Sequence, residues 1–346
     1  MTFEELYEDM HTALKNIVPE AELKHKAETA FKINELKKEK NAVILGHNYM
    51  EAALYYSIPD IKGDSLELSR QAAETDKDII VFCGVRFMAE TAKILSPDKT
   101  VLLPAKKAGC SLAESITAED IRELKKKFPG VPVVTYVNTY ADVKAETDIC
   151  CTSGNAVKVV ESLNTDTVIF LPDEYLAGNV ARETGRHIIF PTDNVFKSMN
   201  ADTLLDYQMI GWNGRCEVHD QFNVEDIENV RRQFPDAVIV THPECRPDVV
   251  KASDYSGSTS AMVKYVKDTN APRYLLLTEC AMGDNIAAEN PEKEMLRLCS
   301  VRCPHMNEIT LEDTLAALQN MQYAIEIPDE IQKRAAKAVQ RMIEIV

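Results

Sequence analysis

The 346-residue chain is 45% hydrophobic and 27% charged, the balance of a globular protein with material for two or three cores rather than one. A net charge of −16 disfavours a nucleic-acid partner, whose phosphates the chain would repel, and no run approaches the 18 apolar residues of a membrane span. The opening MTFEELYEDMHTALKNIVPEAELKHK lacks the basic start and apolar run of a secretory signal, so a cytoplasmic protein is expected, in which nine cysteines point to metal ligands and buried thiols rather than to disulfides.

Residues 3–39 read as a charged amphipathic helix. Strand-like runs follow: NAVILGHNY (41–49), DIIVFCG (78–84), TVLLPA (100–105), VPVVTYVNT (131–139), DTVIFLPD (166–173), RHIIFPT (186–192), AVIVTHPE (237–244) and RYLLLTE (273–279). They are short, continuous and rich in Val, Ile and Leu, as strands covered on both faces are. Helical patterns separate most of them, so the expected class is α/β with parallel sheets. The residues after 311 read as two helices broken before Pro328, packing back on the first domain.

Polar landmarks recur three times along this pattern. A strand ends in His47-Asn48-Tyr49, in Tyr136-Val137-Asn138 and in His242-Pro243-Glu244. Each is followed by a serine at a helix start, Ser65, Ser153 and Ser258, and later by Cys110, Cys216 and Cys303. The strand-end to serine spacings are 65−47=18, 153−136=17 and 258−242=16. The serine to cysteine spacings are 110−65=45, 216−153=63 and 303−258=45. RHIIFPT reads as the last strand of the middle copy, before Cys216, and that copy therefore carries 18 extra residues, placed between Arg186 and Cys216. Periods this long imply three related, homologous α/β domains, and packing about a pseudo-threefold axis is the expected arrangement. The boundaries are 1–110 plus 304–346, 111–216 and 217–303.

Open parallel sheets bind ligands at the carboxyl ends of their strands. His47, Tyr49, Tyr136, Asn138, His242 and Glu244 stand there, with Ser65, Ser153, Ser258 and Thr259 at helix starts, where orphan N–H groups hold carboxylates or phosphates. One such serine is a plain cap; three in register beside Gly63, Gly154 and Gly257 point to a shared anion site. About a pseudo-threefold axis the three matched cysteines converge. Three thiolates without a fourth suit a [4Fe–4S] cluster with one open iron better than a closed zinc site. Cys83, Cys150, Cys151, Cys245 and Cys280 read as packing or supporting residues. His11, His25 and His187 fit exposed or strand-start positions. His219 and His305, close after Cys216 and Cys303, are candidates to line the cluster. A zinc hydrolase or lyase using His47, His242 and Glu244 is a second reading, and an electron carrier a third.

The motifs GHNYM, GDSLELS, GCSLAE, YVNTYADVKAETDICCTSGNA, WNGRCEVH, HPEC, SGSTS, LTEC and CPHM, in this order, resemble the quinolinate synthase family from about residue 40 to 310. The resemblance implies three αβα domains around a [4Fe–4S] cluster held by Cys110, Cys216 and Cys303. It implies condensation of iminoaspartate with dihydroxyacetone phosphate to quinolinate, phosphate and water in NAD biosynthesis, with iminoaspartate from L-aspartate oxidase or aspartate dehydrogenase. It implies Tyr49, Tyr136, His242 and Glu244 as catalytic groups. His47, Ser65, Tyr136, Asn138, Ser153, His242, Glu244, Ser258 and Thr259 would contact substrate. The chain departs from family members with a CxxCxxC run: its spacing is CxxxC, leaving Cys299 as a spare thiol. His47 and His242 are expected to titrate near neutral pH as proton shuttles, and closure of the domains to exclude water.

Overall fold

The computed structural model describes every residue except Leu205, residues 297–300 and residue 346. Cys299 therefore lies outside the described residues.

Thirteen strands are described: β1 (Ala42–His47), β2 (Ile61–Gly63), β3 (Ile79–Cys83), β4 (Thr100–Leu102), β5 (Val133–Tyr136), β6 (Ile149–Cys151), β7 (Val168–Leu171), β8 (Ile188–Ile189), β9 (Met209–Ile210), β10 (Ala237–Thr241), β11 (Tyr255–Ser256), β12 (Arg273–Leu277) and β13 (Glu294–Leu296). They form three all-parallel sheets, ordered β2-β1-β3-β4, β6-β5-β7-β9-β8 and β11-β10-β12-β13, with helices packed against them. The fold is α/β, three αβα units with one strand order.

The middle sheet corrects one equivalence. RHIIFPT does not supply the fourth strand of its unit. β9 pairs with β7 in that place, and β8, from RHIIFPT, is an additional edge strand beyond it. β8 and the residues from it to β9 thus form the insertion that lengthens the middle copy. The segment 3–39 is also not one helix: Phe3–Leu14 and Glu20–Glu39 are separate, because Pro19 has no N–H to continue the first and caps the second.

Each unit repeats a clamp absent from the hydropathy pattern. An aspartate before the edge strand takes a backbone N–H from the central strand at 2.8 Å: Asp60 from Ile44, Asp148 from Val133, Asp254 from Ile239. Each is paired with a cation from the preceding helix: Lys37 at 2.8 Å, Lys125 at 3.4 Å and Arg231 at 3.0 Å. The clamp fixes the turn that leads to the helix-start serine, and so the distance from sheet to site.

The C-terminal helices divide their roles. Leu311–Asn320 packs on Glu20–Glu39 and β3 in the first unit. Asp329–Glu344 spans two units, packing on Arg86–Leu95 in the first and on Ala141–Ala145 and β6 in the second. Its Ala335, Ala338, Val339 and Met342 are buried, and Asn155 donates to the Met342 carbonyl at 3.1 Å. No helix among the described residues is long and apolar enough to cross a membrane.

Candidate active site

The carboxyl ends of the three sheets face a common cleft. Cys110, Cys216 and Cys303 line it together, and His47, Tyr49, Ser65, Tyr136, Asn138, Ser153, His242, Glu244 and Thr259 line it with them. Ser258 does not. No lysine or arginine stands among the described lining residues.

The three cysteines sit on the same local structure. Each begins a short 3₁₀ turn: Ala113–Ser115 after Cys110, His219–Gln221 after Cys216 and Met306–Glu308 after Cys303. In each, the carbonyl of the cysteine accepts from the residue four on: Glu114 at 3.1 Å, Asp220 at 2.9 Å and Asn307 at 3.1 Å. Each sulfur accepts backbone N–H bonds from the residues two and three on, Leu112 and Ala113, Val218 and His219, His305 and Met306. Burial nonetheless pushes the thiols up, Cys110 to about 12 and Cys303 to about 11, so they demand a positive partner before they ionise. Three soft donors, each fed by two N–H groups and facing one cavity, fit an iron–sulfur cluster, whose sulfurs are normally hydrogen-bonded.

These turns carry a sequence signal of their own, distinct from the strand-end and serine landmarks. CSLAESITAED, CEVHDQFNVED and CPHMNEITLED each read cysteine, six residues, Thr or Asn, one residue, Glu-Asp. The spacings are 117−110=7, 223−216=7 and 310−303=7. Thr117, Asn223 and Thr310 cap the next helix, accepting from the N–H of Asp120, Asp226 and Asp313.

Glu244 is the electrostatic centre. Its Oε2 lies 2.6 Å from His219 Nδ1, its Oε1 accepts from Asn138 Nδ2 at 3.2 Å, and the Tyr136 hydroxyl bonds to it. Burial works against its charge, but His219 beside it holds it well below the carboxylate range, to about 2. Burial and the Glu244 charge push the Tyr49 and Tyr136 phenols far up, so both keep their protons. His219 stacks on His242, with ring centroids 4.6 Å apart. Its Nδ1 also lies 3.3 Å from Cys216 Sγ, and its Nε2 lies 3.1 Å from Thr278 Oγ1, which is 2.5 Å from the Tyr49 hydroxyl. A chain of hydrogen bonds thus runs from Tyr49 through Thr278 and His219 to Glu244. It can deliver a proton at the Tyr49 oxygen and draw one back.

His47 and His242 differ from expectation. Burial drives them down to about 4 and about 3, so both are neutral at pH 7 and do not titrate there. Each Nδ1 accepts a backbone N–H, from Tyr49 at 3.2 Å and from Glu244 at 3.3 Å. The proton therefore sits on Nε2, and each ring acts as a neutral donor; that of His242 lies 3.3 Å from Ser153 Oγ. The zinc set His47, His242 and Glu244 is not the group that converges. Among the described residues, the three side chains of metal-binding type whose donor atoms lie within 4.8 Å of one another are Cys216, His219 and Glu244.

The matched serines are not equivalent in detail. Ser65 is the first residue of the helix Ser65–Glu74, whose cap is Asp64. Ser153 lies two residues before Asn155, the cap of Ala156–Ser162. Ser258 caps Thr259–Asp268, and its hydroxyl donates to Asp64 at 2.8 Å, so it joins the first and third units instead of facing the cleft. Thr259 faces the cleft and accepts from Asn48 at 3.0 Å. His305 lines the cleft beside Glu217, 3.2 Å away. Of the residues read as packing, Cys83, Cys150, Cys151 and Cys245 are buried.

The family model for quinolinate synthetase A protein matches residues 31–344. The chain belongs to the quinolinate synthetase A family. Curated relatives agree. The chain is 48% identical over 336 residues to quinolinate synthase 2 of Mesorhizobium japonicum, covering 97% of each. It is 48% identical to quinolinate synthase of Sinorhizobium fredii, covering 97% of this chain and 88% of the relative. It is 49% identical over 313 residues to that of Xylella fastidiosa, covering 90% and 86%. The quinolinate synthetase A match takes in all three sheets and every residue named at the cleft. Thr278 and Asp64 escaped the sequence reading. Thr278 follows the end of β12, where the strand-end rule applies; Asp64 is a helix cap whose second oxygen matters only once two units meet.

Proposed function

We propose that the protein is a quinolinate synthase, a transferase of NAD biosynthesis that joins iminoaspartate to dihydroxyacetone phosphate and releases phosphate and water. Cys110, Cys216 and Cys303 would hold a [4Fe–4S] cluster, and the units divide at these cysteines, as 1–110 with 304–346, 111–216 and 217–303. The observation that carries the reading is three like cysteine turns opening on one cleft with His47, Tyr49, Tyr136, Asn138, His242 and Glu244. An iron–sulfur cluster with one iron free of cysteine supplies, when bound, a Lewis acid for a substrate oxygen.

The side chains supply the rest. Substrate carboxylates and phosphate meet neutral donors: the Nε2–H of His47 and His242, the hydroxyls of Ser65, Ser153 and Thr259, and the N-termini of the helices Ser65–Glu74 and Thr259–Asp268. These bind anions without a fixed cation. Tyr49 gives a proton to the leaving oxygen and is reprotonated through Thr278 and His219. Glu244, kept ionised, accepts a proton from substrate carbon or nitrogen, while Asn138 and Tyr136 hold its oxygens in place. Iminoaspartate would be delivered in the cytoplasm by an aspartate-oxidising enzyme, L-aspartate oxidase or aspartate dehydrogenase.

Anaerobically purified protein tests this. Expected are a brown colour with absorbance near ~400 nm, about four irons per chain, and quinolinate from iminoaspartate plus dihydroxyacetone phosphate. A colourless protein with one zinc, or no quinolinate from iron-loaded protein, overturns it. Glu244→Gln is expected to abolish turnover and leave the absorbance intact.

A further inference from the structure

The three strand-end turns that carry the reactive side chains are braced differently. In the first, the N–H of Tyr49 bonds His47 Nδ1 at 3.2 Å and the N–H of Met50 bonds the His47 carbonyl at 3.0 Å. In the third, the N–H of Glu244 bonds His242 Nδ1 at 3.3 Å and the N–H of Cys245 bonds the His242 carbonyl at 3.0 Å. The imidazole thus ties down the residue two on, Tyr49 or Glu244. The middle unit has Tyr136 at the histidine position, and a phenol cannot accept that N–H. Its turn instead closes through Thr139 N–H to the Val137 carbonyl at 2.7 Å and the Thr139 hydroxyl to the Tyr136 carbonyl at 3.2 Å.

A buried amine fills the gap. Lys144 is fully buried, and its Nζ donates to the Val137 carbonyl at 2.8 Å and to the Thr139 carbonyl. Those carbonyls flank Asn138, whose Nδ2 contacts Glu244. Lys144 is itself anchored: it lies on the helix Ala141–Ala145, whose first N–H is held by Glu90 Oε2 at 2.8 Å. An amine is costly to bury, and here its donors are spent on one loop beside the site.

We propose that Lys144 is a positioning residue that replaces, in the middle unit, the imidazole brace of the other two and so aims Asn138 at Glu244 and the substrate. It rests on the cleft being the quinolinate synthase site. Lys144→Met keeps the length and removes the donors. Lys144→Met and Asn138→Ala are each expected to lower kcat/KM about tenfold, and the double variant no further than the worse single one, since both remove one function. Losses that multiply to about a hundredfold, or a Lys144→Met enzyme at full activity, overturn the proposal. Hydrogen exchange gives a readout independent of turnover. Amides of 137–139 are expected to exchange faster in Lys144→Met, while 47–50 and 242–245, braced by histidine, stay unchanged; equal rates in all three turns overturn it. If Lys144→Met does not fold, Lys144→Gln, which keeps one amide donor group, carries the same comparison with a smaller expected effect. Failure of the unmodified protein to make quinolinate would count against the reaction, not against the brace, which the exchange rates still decide.

Discussion

Thr278 bridges Tyr49 and His219 with short contacts, 2.5 Å to the Tyr49 hydroxyl and 3.1 Å to His219 Nε2, while the direct contact between those two groups is longer, 3.4 Å. Thr278→Val keeps the shape and leaves the relay only that longer contact. Turnover is expected to fall about tenfold to a hundredfold with the visible absorbance unchanged, which steady-state kinetics and a spectrum check together. The two neutral histidines make a second prediction. The unfolded chain protonates each near 6.5, whereas the folded chain holds them down to about 4 and about 3. The unfolded state therefore binds more protons as pH falls from about 6.5 toward 3, and stability drops through that window. Glu244, depressed to about 2, keeps its contribution above the usual carboxylate range and loses it only as pH falls toward 2. Burial holds the Asp173 and Glu279 carboxyls up, Glu279 to about 7, and these oppose that loss over the same range. The change is therefore read by difference: the fall in melting temperature between pH 7 and pH 4 is expected to be smaller in His242→Gln than in the unmodified chain, and an equal fall would contradict the burial of that ring.

At the scale of single elements, the longer central strands and the edge strand β4, within TVLLPA, were legible, and the shortest strands were not. β1, β3, β5, β7, β10 and β12 are continuous apolar runs covered on both faces. β2 reads IKG, β6 ICC, β9 MI and β11 YS, too short for any periodicity to show, and they are strands because a longer neighbour pairs with them. RHIIFPT was equated with the wrong strand because its composition, not its pairing, was visible. The polar landmarks of the cleft were readable, since strand-end position and register are sequence properties. Asp64, Thr278 and Lys144 were not, because their partners come from other turns or units. The cysteine turns depend on close approach. A Cβ on Gly214 would lie 2.4 Å from Ser115 Oγ and 2.7 Å from the Pro172 carbonyl. Gly214→Ala is therefore expected to cost about 1–3 kcal/mol, measured as a lower urea midpoint.

Across the whole molecule, three like units are held together by contacts that none of them makes alone. Asp64 accepts from Ser258, Asn48 donates to Thr259, and the helix Asp329–Glu344 lies across the first two units. Removing residues 329–346 would expose Ala335's neighbours on β6 and on Arg86–Leu95. The shortened chain is expected to melt at a lower temperature and to be cut by protease between the first and second units, where the full chain resists. The spacing of the three thiol turns bears on the cluster proposed for them. Cys110 and Cys303 are separated by 303−110=193 residues, and each turn is shaped by its own sheet. A zinc finger gathers its metal from a short unfolded stretch and is folded by it. At the proposed cluster site a nascent chain would offer only two of the three matched thiols until the third unit has docked, so iron loading would follow folding, and the iron-to-protein ratio of a purified variant would measure how many molecules finished assembling.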